Sequence, residues 1–96
     1  MRTSYLVCYD IADDKRLRKV FHTMRKYGDH IQYSVFECQW TESELVRCRA
    51  ELAAVIHHAD DQVLFVRLGP SENRGDRLIT ALGKPYTNVD SPCIIV

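Results

Sequence analysis

The chain begins with a nearly unbroken apolar run, Tyr5-Leu6-Val7-Cys8-Tyr9, opened by Ser4 and closed by a carboxylate, Asp10. Such a run without alternation is the pattern of a strand covered on both faces. The period then changes. Leu17, Val20, Phe21, Met24 and Tyr27 recur at spacings of three and four, which predicts a helix with one apolar face. Asp13 is its expected N-cap, Asp14 sits in the first turn facing the positive end of the helix dipole, and Gly28 ends the helix at about Tyr27. From His30 to Trp40 the period is two, but its phase shifts. Ile31, Tyr33 and Val35 share one parity, whereas Phe36, Cys38 and Trp40 share the other. A period-two pattern changes parity only through a turn or a bulge, so this stretch reads as two strands, or one strand broken near Tyr33 to Phe36.

Thr41 followed three positions later by Glu44 is a capping box. It starts a second helix, expected to reach about His57 with Leu45, Cys48, Leu52, Val55 and Ile56 on its core side. A turn at Ala59-Asp60-Asp61-Gln62 leads into Val63-Leu64-Phe65-Val66-Arg67-Leu68, a further central strand closed by Gly69-Pro70. After a polar loop, Leu78 to Leu82 and the Pro92-Cys93-Ile94-Ile95-Val96 tail read as extra strands. An exposed β-branched tail is an aggregation hazard unless it pairs with something. The order is β-α-β-β-α-β plus C-terminal strands. It predicts an α+β fold of ferredoxin-like βαββαβ topology, an antiparallel sheet with both helices on one face, in a single domain spanning 1–96. The other sheet face needs a cover, and a second copy of the chain is the simplest one. The region from about 78 to 96 is expected to contribute to that homodimer.

Composition adds one asymmetry. The 96 residues carry 13 basic and 13 acidic side chains, so the net charge is zero and the whole-molecule field does not announce a nucleic-acid partner. The distribution is uneven, however. The first helix carries Lys15, Arg16, Arg18, Lys19, Arg25 and Lys26 against Asp14, in a rod about 20 Å long. The second balances Glu42, Glu44 and Glu51 against Arg47 and Arg49. Cys8, Cys38, Cys48 and Cys93 are widely spaced without a metal-binding motif, and three lie in apolar segments where a free thiol packs as a small hydrophobe. No secretory h-region and no run of ~20 apolar residues is present, so disulfides and a membrane are not expected and the location reads as cytoplasmic.

The candidate chemistry centres on Asp10. A strand-end acid either bonds loop amides and a neighbouring Arg, or ligates a metal; the residues alone leave both readings open. One carboxylate acting as general acid or base supplies roughly 10²–10⁴-fold, short of the ~10⁶-fold at which enzymes begin. A hydrolytic reading therefore needs a cation, and Mg²⁺ accepts one or two carboxylates while keeping waters. Asp13 and Asp14 read as helix-start acids. The basic helix is either a solvated face or a phosphate contact, which would fix position without reading sequence. His22, His30, His57 and His58 lack zinc spacing, and His57-His58 read as helix-end caps. No phosphate-binding glycine loop, nucleophile elbow or thiol dyad is present.

Two elements together carry a resemblance. Tyr9-Asp10-Ile11 followed by Asp13-Asp14-Lys15-Arg16, and then Gln32-Tyr33-Ser34-Val35-Phe36-Glu37-Cys38, resemble the second CRISPR-associated protein, a small endonuclease family of the adaptation stage. The resemblance covers nearly the whole chain. It implies a ferredoxin-like homodimer whose C-terminal strands cross to the partner, and Mg²⁺- or Mn²⁺-dependent cleavage of single-stranded RNA or double-stranded DNA. It also implies a place beside the CRISPR integrase during spacer integration, where the dimer is a central scaffold whose nuclease chemistry is dispensable in some members. Asp10 matches the family's metal-binding, catalytic acid. Tyr9, Arg16, Arg18, Lys19, His30, Ser34 and Phe36 match positions of nucleic-acid contact or site formation. Two departures stand out. His30 occupies a position that is often Arg, and the helix arginines shift register among members, so Arg16 and Arg18 carry over less directly than Asp10. The sequence thus supports two functions: a metal-dependent endonuclease, and a non-catalytic dimeric scaffold for duplex DNA. A sequence-specific RNA-recognition module of the same topology lacks its aromatic motif.

Overall fold

A computed structural model of the chain describes residues 1–71 and 81–84. Strand β1 (Thr3–Asp10) is followed by α1 (Asp14–Arg25), the hairpin strands β2 (Asp29–Gln32) and β3 (Val35–Trp40), α2 (Glu42–Val55) and β4 (Gln62–Pro70). The four strands form one antiparallel sheet in the order β2-β3-β1-β4, the ferredoxin-like arrangement. The apolar run of β1 therefore lies centrally, with β3 and β4 on its two sides.

Alternation decides what each face carries. Tyr5, Val7 and Tyr9 of β1 and Phe36, Cys38 and Trp40 of β3 are buried with Val20 and Met24 of α1 and Cys48 and Leu52 of α2. The opposite face carries Leu6, Cys8 and Val35, all half-buried, with Leu64 and Val66 of β4 still 49% and 44% exposed. Register places these residues side by side, since Cys8 lies opposite both Val35 and Leu64, and Leu6 opposite Val66. One face is the core. The other is largely apolar, with Glu37 buried opposite Leu6, and carries no helix among the described residues.

Local rules set the element ends. Asp13 caps α1 by accepting from the Arg16 amide at 2.9 Å. The Thr41–Glu44 capping box is complete, with Glu44 Oε1 accepting from the Thr41 amide at 2.8 Å. The helices stop at Arg25 and Val55, two residues short of the expected Tyr27 and His57. Tyr27 and Ile56 still pack on the core, which is why the apolar period overran the helical hydrogen bonds. Gly28 is required by close approach, because a Cβ there would lie 2.4 Å from Cys38 Sγ. β4 ends at the expected Gly69-Pro70 pair. The strand continues to Pro70 through a register shift opposite Ser4 and Tyr5, which Gly69 accommodates at φ +114°. The phase change in the middle of the chain is a turn between β2 and β3, where Tyr33 adopts φ +27°.

Cys8, Cys38 and Cys48 are free thiols. Burial pushes the Cys48 thiol up to about 12 and raises that of Cys38 as well, so both pack as inert apolar groups. The expected strand at 92–96 lies outside the described residues, as does most of that at 78–82; Ala81 and Leu82, which are described, are not in a strand. No helix among the described residues is long and apolar enough to cross a membrane.

Candidate functional site

Asp10 is the last residue of β1, exposed, and paired in register with Gln62 of β4. Just before it, the Tyr9 amide donates to the Ser34 carbonyl at 3.0 Å. Strand parity sends Tyr9 toward the helices and Asp10 to the side of Leu6 and Cys8. The acid thus lies at the rim of the sheet face away from the helices, held by a central strand whose neighbours are both hydrogen-bonded to it.

The loop after Asp10 is fixed by a residue that the sequence did not single out. The Asp61 side chain has no accessible surface and accepts from the Ala12 amide at 2.9 Å, the His57 amide at 2.7 Å, and Arg16 Nε and Nη2 at 2.8 and 3.2 Å. The Arg16 guanidinium, followed by the Ala12 and His57 amides, holds the Asp61 carboxyl well below its ordinary value despite desolvation. One buried acid therefore ties the loop after β1, the first turn of α1 and the turn into β4 to one another. The sequence signal was weak. Asp60-Asp61 looks like any acidic turn, and its cationic partner lies 45 positions earlier.

The basic residues of α1 divide accordingly. Arg16 is turned to Asp61, whereas Arg18 and Lys19 are exposed. Arg18 joins Tyr9, Leu17, Phe21, His30, Tyr33 and Ser34 around a cleft of about 300 Å³ between α1 and the β2–β3 turn. Lys19 does not line it. The His30 ring stands edge-on to Phe21 at 5.0 Å and leans on Phe36 at 4.9 Å, and its Nε2 donates to the Tyr33 carbonyl at 2.7 Å. Because a carbonyl only accepts, that bond leaves Nδ1 as the acceptor of the neutral ring. Tyr9 is nearly buried, and desolvation raises its phenol above the ordinary value.

Of the residues matched to nucleic-acid contact, the structure thus gathers Tyr9, Arg18, His30 and Ser34 around one cleft, and leaves Arg16 and Lys19 out of it. Phe36 needs correction. It has no exposed surface, so it supports the site from the core, beneath His30 and Phe21, and does not touch a ligand. Asp10 lies at the same end of β1 but on the other side of the sheet. Among the described residues, no three or more His, Cys, Asp or Glu side chains are grouped to hold a metal ion. His58 Nε2 donates to the Ala53 carbonyl at 3.0 Å, the helix-end role read for it. The His57 ring instead lies 3.3 Å from the Asp60 carboxylate.

Residues 3–74, which run from β1 past the end of β4, match the family model described as CRISPR associated protein Cas2. The chain belongs to the Cas2 family. It is 33% identical over 96 residues to the CRISPR-associated endoribonuclease Cas2 of Geobacter sulfurreducens, covering 100% of both chains. It is 46% identical over 83 residues to CRISPR-associated endoribonuclease Cas2 2 of Thermodesulfovibrio yellowstonii, covering 86% of each. The crystal structure of Streptococcus pyogenes Cas2 superposes with a TM-score of 0.71 at 35% identity, over 83% of this chain and 99% of that one. The Cas2 match spans Asp10, Asp61 and every residue of the cleft, so both parts of the site lie within the shared region.

Proposed function

We propose that this Cas2 chain is a divalent-metal-dependent endonuclease of CRISPR adaptation whose active unit is a homodimer, with Asp10 of each copy at one shared site. The observation that carries this reading is the position of Asp10: exposed, at the end of the central strand, on the rim of an apolar sheet face that nothing in the chain's described residues covers. A second copy seated on that face brings two strand ends toward one another. Two facing carboxylates repel unless they hold a cation or share a proton. A single acid per protomer fits Mg²⁺ or Mn²⁺ ligation only in the mode that keeps several waters, and pairing across the dimer doubles the protein ligands. Such an ion supplies Lewis acidity and lowers the pKa of its water, the chemistry phosphodiester hydrolysis needs.

The chain's own residues supply the remainder. The β1 register with β3 and β4 holds the Asp10 backbone, and Asp61 locks the loop that follows it. Arg18 and Lys19 on α1 offer positive charge to a nucleic-acid backbone. Single-stranded RNA and double-stranded DNA are the candidate substrates, in line with relatives named as endoribonucleases. The test is cleavage of both by the purified dimer with Mg²⁺ or Mn²⁺ present. Asp10→Ala is expected to lower the rate by at least ~10²-fold; equal cleavage by the variant assigns the activity elsewhere.

A second reading rests on the exposed Arg18 and Lys19 of α1, which can hold a phosphate backbone without any chemistry. Here the dimer is a non-catalytic scaffold that holds duplex DNA beside the CRISPR integrase. It separates from the first in one experiment: spacer integration survives Asp10→Ala if the chain is a scaffold.

A further inference from the structure

We infer that the cleft between α1 and the β2–β3 turn receives a single unpaired nucleobase, with the Tyr33 ring as its stacking face. The inference rests on the reading that nucleic acid lies against the basic side of α1, and adds what that reading lacks, a way to prefer unpaired strands. Three observations carry it.

First, Tyr33 is held where a tyrosine has no structural reason to be. It is 91% exposed at φ +27°, a left-handed conformation that costs a non-glycine residue free energy. Its carbonyl is fastened by His30 Nε2 at 2.7 Å. The ring is thus displayed at the mouth of the cleft and contributes little to the core. Second, the lining suits one flat heterocycle. The space of about 300 Å³ is at the small end of ligand pockets, with Leu17, Phe21 and Tyr9 as apolar walls. Ser34 and the free acceptor Nδ1 of His30 are polar groups that can meet a base edge. Third, Arg18 shares the cleft, so a base in it has a cation beside its own phosphate. Base–aromatic stacking with an adjacent cation is how single strands are gripped without a sequence code. A paired base reaches such a cleft only by leaving the duplex stack, which costs unpairing and unstacking. The cleft therefore favours single strands, loops and frayed ends.

The test is a fluorescence titration of the full-length dimer, in EDTA, with single strands carrying one 2-aminopurine, in RNA and DNA versions, and with a matched duplex. Binding is expected to quench the 2-aminopurine of one or both single strands. Tyr33→Ala, at an exposed position that does not threaten folding, is expected to weaken single-strand binding roughly tenfold and relieve the quench, leaving duplex affinity unchanged. Tyr33→Phe keeps both properties. Single strands that bind without quenching, or equally well to Tyr33→Ala, overturn the base cleft and leave nucleic-acid binding in place. No salt-dependent binding of any strand overturns the underlying reading as well. Quenching by only one version of the strand assigns the base to RNA or to DNA.

Discussion

Asp61 shows how much of this site depends on one residue that touches no ligand. It carries a full charge with no accessible side-chain surface, and it is stable there because a guanidinium and two amides meet it. Its carboxyl lies below the ordinary value of 3.8, so the folded state binds this proton more weakly than the unfolded state does. The stabilisation is therefore fully present above about pH 4 and is lost as pH falls toward the depressed folded value. Asp61→Asn keeps the shape and removes the charge. At pH 7 its thermal midpoint is expected to fall by several degrees, and the gap to the wild type should narrow in acid. A gap of constant size from pH 7 to pH 3 would contradict the assignment. Nothing in the sequence separated Asp61 from Asp60, because burial and the partner 45 residues away exist only once the chain has crossed over. Arg16 illustrates the same limit. It matched a contact position as well as Arg18 did, yet two residues apart on a helix they point to different sides. Of these two arginines, Arg18 is the one left to face a phosphate.

At the level of elements, the sequence was more informative. The parity change requires a break near Tyr33 to Phe36, and the structure places it just before β3, as a turn at Tyr33-Ser34 with Tyr33 in a left-handed conformation. The capping box at Thr41 and the N-cap at Asp13 were legible because those signals are local. The cleft was not legible. Its walls come from β1, α1, β2 and the β2–β3 turn, which converge only in the folded sheet. Helix α1 links the two levels, since its apolar face is fixed by the core and its opposite side is left charged. If that side holds a phosphate backbone, Arg18→Glu with Lys19→Glu should weaken duplex binding irrespective of sequence. The slope of log affinity against log salt should fall by about 1–2, one step for each lost phosphate contact. Unchanged affinity at low salt would show that the charged side of α1 is only solvated.

For the whole molecule, the decisive feature is the unequal treatment of the two sheet faces. The helix-covered face explains the fold, and the ferredoxin-like topology followed from the element order alone. The opposite face, with Leu6, Cys8, Val35, Leu64 and Val66 in adjacent registers, carries no helix among the described residues. In the proposed reading, Asp10 at its rim connects that face to chemistry. The central claim is thus that two copies of β1 make one hydrolytic site, and that neither acid suffices alone. Mixed dimers test this most directly. Wild-type and Asp10→Ala chains, co-refolded at increasing proportions of the variant, form wild-type, mixed and variant dimers statistically. If both acids are needed, metal-dependent cleavage falls as the square of the wild-type fraction, to about a quarter at equal mixing. Activity that falls in proportion to the wild-type fraction, to about half, would show that each Asp10 acts on its own and would contradict the shared site.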